Sequence, residues 1–233
     1  MYAGILLKFV LKHLGLLDDI VQRSIDAPAD GLKNLYIHLY NRRFSEARAV
    51  WERFYFGSDF QNEQIKSSFL AILGFLLFLE DRNDKANHIF ASAISLNKYC
   101  TLAYLGRGLL FQGMQQKQDA INDLSQAIKL DPQLSLVYNE RGVLHQSRGK
   151  SKHAIQDFKM ALHTRPDNVH AMINLSILLF QREDYSGARN WLAKAMQIDG
   201  LETKSYISLM KLKINTKNYR NSNGGTSCRG QNI

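Results

Sequence analysis

Small and bulky residues return along this chain at a fixed interval of 34. Ala86, Ala120, Ala154 and Ala188 form one column, and Ala93, Ala127, Ala161 and Ala195 a second, with Phe90, Leu124, Phe158 and Leu192 between them. Gly74, Gly108 and Gly142 form a third small column, continued by Ser176. Four residues before each lies a large one: Leu70, Tyr104, Tyr138 and Met172, with Tyr206 keeping the register. Such a period is the signature of one supersecondary unit used repeatedly. Two antiparallel helices joined by a tight turn approach closely only where one side contributes Gly, Ala or Ser, and the large residues then fill the neighbouring holes. Each unit alone leaves an apolar face uncovered, so units stack into a continuous solenoid core without separate domains.

The turns fall where this reading requires them. Asp131-Pro132 and Arg165-Pro166 end second helices, because the residue before proline is restricted against continuing a helix. Arg82-Asn83, Gly149 and Glu183-Asp184 separate the two helices of a unit, and Asp84 and Ser151 are expected as N-caps. First helices are predicted near residues 67–80, 101–114, 135–148, 169–182 and 203–216, and second helices near 84–97, 117–130, 151–164 and 185–198. Upstream, Ala47, Trp51 and Phe54 match Ala86, Phe90 and Ala93 at a constant offset of 39, which points to a degenerate unit followed by a five-residue insertion around Gly57 to Asn62.

The progression from Tyr138 through Gly142, Ala154, Phe158 and Ala161 to Pro166 resembles the 34-residue signature of the tetratricopeptide repeat family. The resemblance covers about residues 30–220 and implies an all-α fold, a right-handed α-solenoid of antiparallel helix pairs. The expected organisation is an N-terminal amphipathic helical cap (1–27), the degenerate first repeat with its insertion (28–66), and four repeats at 67–100, 101–134, 135–168 and 169–202. A truncated sixth repeat (203–220) and a disordered polar tail (221–233) follow. Lys98 and Gly200 stand where the signature has proline, Ser176 where it has glycine, and Arg107 and Arg141 where the family usually has leucine.

Charge narrows the partners. The chain carries 30 Lys+Arg against 21 Asp+Glu, a formal +9. Six basic residues against one acid between Leu201 and Ile233 concentrate +5 of it at one end, leaving +4, mixed in sign, over the preceding 200 residues. Nucleic acid or an anionic surface is therefore an alternative partner for the basic C-terminal segment only, and its aromatics, Tyr206 and Tyr219, make a thin stacking platform. The absence of a second helix after residues 203–217 raises a further alternative, a self-associating truncated form of a longer repeat protein. The apolar N-terminus is interrupted by Lys8, Lys12 and His13, and the run Phe69 to Leu79 is far short of the ~20 residues that span a bilayer. No membrane span is expected. Cys100 and Cys228 form no disulfide framework or zinc pattern, which favours a reducing, cytoplasmic setting with nucleus and cilium left open.

No motif supports catalysis, and neither cofactor nor metal is expected. Gly106-Arg107-Gly108 lacks the third glycine of a phosphate loop and lies within a predicted helix. The seven histidines lack the paired helical spacing of metal ligands. What the resemblance implies is a protein-interaction scaffold or adaptor, with ligands held in the concave groove lined by first helices. The candidate peptide-binding residues are Leu105, Leu109, Gln112, Asn139, Glu140, Val143, Gln146, His170, Ile173, Asn174, Ile177 and Gln181, with Leu102 and Leu136 beside them. Apolar faces with scattered Asn and Gln suit an extended or helical peptide. The family's clamp for chaperone C-terminal carboxylates is matched only at Asn174 and Lys204, since Val143 and Ser208 replace polar and basic residues, so such carboxylates are not expected as ligands. Larger assemblies in transport, the cell cycle, cilia or chaperone systems are all compatible with the family.

Overall fold

The computed structural model of the protein describes His38, residues 41–57 and residues 63–198. Among the described residues every regular element is an α-helix: α1 (Phe44–Gly57), α2 (Glu63–Leu79), α3 (Asn83–Leu96), α4 (Thr101–Gly113), α5 (Lys117–Leu130), α6 (Ser135–Ser147), α7 (Ser151–Thr164), α8 (Val169–Gln181) and α9 (Tyr185–Ile198). These are the helices expected of an all-α repeat solenoid. The largest departure is at α2, which begins a turn earlier than the repeat requires, with Glu63 in its first turn and Ser67 and Ser68 donating to the Gln64 carbonyl. The N-terminal cap, the sixth repeat and the tail lie outside the described residues, as does the first helix of the degenerate repeat, expected near residues 30–41, apart from the helical His38.

The chain divides into two compact units between Leu144 and His145, within α6. The sequence reading anticipates one unbroken core. Packing in a repeat array is local, each unit meeting only its neighbours, so a division inside a helix is compatible with repetition. In the first unit α2 pairs with α3 and α4 with α5, while α1 packs on α2 and α4 packs on both α2 and α3. In the second, α8 pairs with α9 and also packs on α7.

One turn is repeated with the period of the sequence. Asp81, Gln115, Gly149 and Glu183, spaced 34 apart, all have positive φ (61°, 62°, 72° and 69°), and the next residue's N–H reaches back to the carbonyl five residues earlier. Those bonds, Arg82 to Leu77, Gln116 to Phe111, Lys150 to His145 and Asp184 to Leu179, measure 2.9–3.0 Å. This is a left-handed C-terminal cap, which satisfies the last carbonyls of a first helix while reversing the chain. Arg42 (φ 56°) repeats it 39 residues before Asp81, with Arg43 bonded to the His38 carbonyl at 2.8 Å, so the degenerate unit keeps the turn, and its Ala47 and Trp51 are buried. The expected caps at Asp84 and Ser151 are corrected by this geometry. The N-cap positions are Arg82 and Lys150, without side-chain caps, because the left-handed residue before each sets the entry, and Asp84 and Ser151 fall within the first turns of α3 and α7. A side-chain cap does occur at Asn168, whose Oδ1 accepts from the Ala171 N–H at 3.1 Å.

Between repeats the chain leaves the helix through an extended residue. Asn97, Asp131 and Arg165 share nearly the same backbone (φ −142°, −140° and −143°), although only the last two precede proline. Replacing proline by Lys98 therefore leaves this turn intact.

The small columns seat the large ones as anticipated. In the first unit Phe90, fully buried, lies against Gly74 of α2 and Gly106 of α4, and meets Phe75 edge-on with centroids 5.3 Å apart. Trp51 stacks on Phe69 at 4.5 Å and donates its indole N–H to the Phe69 carbonyl at 3.0 Å. In the second unit the equivalent columns, Ala154, Phe158, Ala161, Ala188, Leu192 and Ala195, are all buried, and Ser176 fits the glycine position by turning its hydroxyl to the Ile173 carbonyl at 2.7 Å.

Candidate functional site

The candidate lining residues fall in both units, and burial separates them into two classes. In the first unit Leu105 (0 % exposed) is core, and Leu109, Asn139 and Glu140 are also buried. Gln112 and Val143 are half-buried, as are Leu102 and Leu136. In the second unit Ile173 is buried, whereas Gln146, His170, Asn174 and Ile177 are half-buried and Gln181 is exposed. Leu105, Leu109 and Ile173 are thus corrected to packing residues. Each lies on the side of its first helix that meets neighbouring helices, and their apolar surface is removed from water without any ligand. Gln146 and Gln181 are joined by a 3.3 Å hydrogen bond, so the second unit's accessible amides already form a pair.

Asn139 and Glu140 occupy a special environment. Glu140, on the middle turn of α6, is 3 % exposed, and its carboxylate accepts from the Asn139 side-chain amide at 3.0 Å and from Gln112 of α4 at 3.1 Å. Burial raises its pKa above the ordinary glutamate range, and the two amide donors offset this only in part. Among the described residues no cation pairs with it. The first unit's nearby guanidinium groups are engaged elsewhere: Arg107 forms a two-point bond with Asp123 of α5 (2.7 and 2.9 Å) and Arg141 bonds Ser125 at 3.0 Å. Arg107 also lies over the Tyr104 and Phe111 rings at 6.0 and 5.8 Å.

The arginines at the family's leucine positions are therefore structural, a role that sequence reasoning missed. The spacing Arg107–Asp123 carried the signal, since 16 residues separate facing positions on the two helices of one repeat. The burial of Glu140 also left a trace. The column of residues at its spacing reads Ile72, Gly106, Glu140 and Asn174, in which a carboxylate is the single charge.

Other chemistry is sparse. A cavity of about 180 Å³ at the start of α4 is lined by Ser68, Asn97, Cys100, Thr101 and Asp131 among others, but burial pushes the Cys100 thiol up and away from reactivity. Among the described residues no group of three or more His, Cys, Asp or Glu side chains is placed to hold a metal ion, and no helix is long and apolar enough to cross a membrane. The candidate basic segment and Lys204 lie outside the described residues.

Comparison with known proteins gives a consistent result. Residues 102–134 and 169–198 each match a family model described as "Tetratricopeptide repeat". Among solved structures the chain is similar to a crystal structure of MamA (17 % identity, TM-score 0.60, covering 77 % of this chain and 99 % of that one). It is also similar to MamA from Desulfovibrio magneticus RS-1 (15 % identity, TM-score 0.59, 72 % and 93 % covered) and to the MamA structure labelled MSR-1 (20 %, 0.54, 72 % and 93 %). At these identities the likeness concerns the fold alone. No curated protein matches the chain in sequence. The two matched repeats, the periodic turn and the packing columns together support a protein of the tetratricopeptide repeat type, built as an all-α helical-repeat solenoid.

Proposed function

We propose that the protein is a non-catalytic scaffold or adaptor that binds a protein or peptide through the accessible faces of its first helices, within a larger assembly. The observation that carries this reading is the division of labour on those helices. Packing is satisfied by the glycine, alanine and aromatic columns, while Gln112 and Val143 in one unit, and Gln146, His170, Asn174, Ile177 and Gln181 in the other, remain wholly or partly open with mixed apolar and amide character. A lining of that kind suits side-chain pockets combined with hydrogen bonds to a peptide backbone. A buried carboxylate at Glu140 also supports the expectation that C-terminal carboxylates bind poorly, because a second anion placed beside it is repelled.

The test uses aspartate substitutions at accessible positions, Val143→Asp in one unit and Ile177→Asp in the other, compared with unaltered protein in affinity capture from lysate. Loss of the same captured proteins in either variant, with helicity retained, supports the reading. Identical capture by all three proteins moves the working surface elsewhere on the chain.

A further inference from the structure

From the setting of Glu140 we infer that the first-helix face of α6 is built to receive a cationic side chain, a lysine or arginine of an extended peptide, whose charge completes a buried carboxylate held only by two carboxamides. This rests on the proposed peptide-binding role and specifies its ligand chemistry.

The geometry carries the argument in three steps. First, the carboxylate is nearly closed off from water, and its partners Asn139 and Gln112 are neutral, so an ionised Glu140 lacks the counter-charge that buried carboxylates normally require. Second, one of those two partners is a flexible side chain on another helix. Gln112, which bonds it at 3.1 Å, is itself half-buried and stands next to the C-terminal end of α4, so a modest rotation of one flexible amide opens the carboxylate to an incoming donor. Third, Leu136 and Val143, four residues before Glu140 and three after, share its helix face and are both half-buried. They offer apolar surface for the methylene stem of a long basic side chain whose charged head reaches inward. A guanidinium satisfies both carboxylate oxygens at once, which favours arginine over lysine. Equivalent positions in the neighbouring repeats, Gly106 and Asn174, carry no charge, so the preference is local to this turn of α6.

The experiment presents the full chain to immobilised decapeptide libraries, randomised except for one central residue fixed as arginine, lysine, norleucine or glutamate. Glu140→Gln and Val143→Asp variants are run in parallel. The expected result is about tenfold stronger retention on the arginine and lysine libraries than on norleucine, abolished in Glu140→Gln while its fold is kept and its thermal midpoint is no lower. A basic preference that survives Glu140→Gln overturns the assignment. Equal retention on all four libraries, lost in Val143→Asp, removes the cation seat but leaves the peptide-binding face standing. Equal retention that Val143→Asp does not alter, or no retention on any library, overturns both.

Discussion

Gly106→Ala is the sharpest probe of how the repeats fit together. In the first unit the Phe90 ring is fully buried against two glycines. A Cβ at Gly74 would stand 2.6 Å from Phe90 Cε1 and 2.7 Å from Cδ1, and one at Gly106 would press still closer on the same ring edge while meeting Phe75 Cζ at 3.0 Å. The ring is fully buried, so it has no open space to retreat into. Overpacking of this kind costs about 1–3 kcal/mol and sometimes more. Because a rigid, fully buried ring must give, the upper part of that range applies, and the gain in helix propensity from glycine to alanine returns only about 1 kcal/mol. The net loss is therefore about 2 kcal/mol or more. Phe90→Leu removes the obstructing ring edge, so the double variant should be more stable than the sum of the two single changes predicts, by about 2 kcal/mol. Gly113→Ala is the control, because its Cβ would meet nothing nearer than Phe78 at 3.9 Å, and it should be neutral or slightly stabilising. The two tryptophans, Trp51 and Trp191, lie in different units. Urea unfolding followed by fluorescence in a Trp191→Phe background therefore reads the first unit alone and avoids treating a two-unit chain as a single transition. Additive behaviour of Gly106→Ala and Phe90→Leu, or a neutral Gly106→Ala, would refute the packing argument.

Other perturbations follow from the same structure. Gln115→Gly and Glu183→Gly should each stabilise by about 0.5–1 kcal/mol in thermal or urea melts, since both residues hold left-handed backbone at a turn, whereas Gly149→Ala at φ 72° should cost about 1 kcal/mol. Arg107→Leu restores the family's usual residue yet should destabilise by about 2 kcal/mol by stranding Asp123, which is 7 % exposed, and Arg107→Leu with Asp123→Leu should recover most of that in the same urea assay. Because the folded state raises the Glu140 pKa, it holds a proton that the unfolded chain has released. Its contribution is present below the ordinary value of 4.5 and is lost as pH rises through the raised folded value, so Glu140→Gln should flatten that decline and be the more stable protein at neutral pH.

What the sequence disclosed was governed by packing. Alanine and glycine columns are legible because close helix approach tolerates nothing larger, and they located α3 to α9 to within about a residue. The left-handed turn was less legible, since Asp81, Gln115 and Glu183 are not the glycine that such backbone favours, and only Gly149 announces it. The candidate lining was half-legible for a related reason. Helical spacing identifies a face but not how deeply each position is covered, so Leu105 and Ile173 looked equivalent to Val143 and Ile177 until burial separated them. Polar residues inside that face were the hardest, because the donors that satisfy Glu140 come from Asn139 beside it and from Gln112 in another repeat, a pairing that helical spacing does not reveal.

The proposed function places the working surface on the first helices. Site-specific photo-crosslinking tests it most directly, with a benzophenone side chain placed at Gln112 or Ile177 on first helices, and at exposed Asn122 or Lys159 on second helices. Partner proteins crosslinked at 112 and 177 but not at 122 and 159 are predicted; crosslinks confined to 122 and 159 would contradict it.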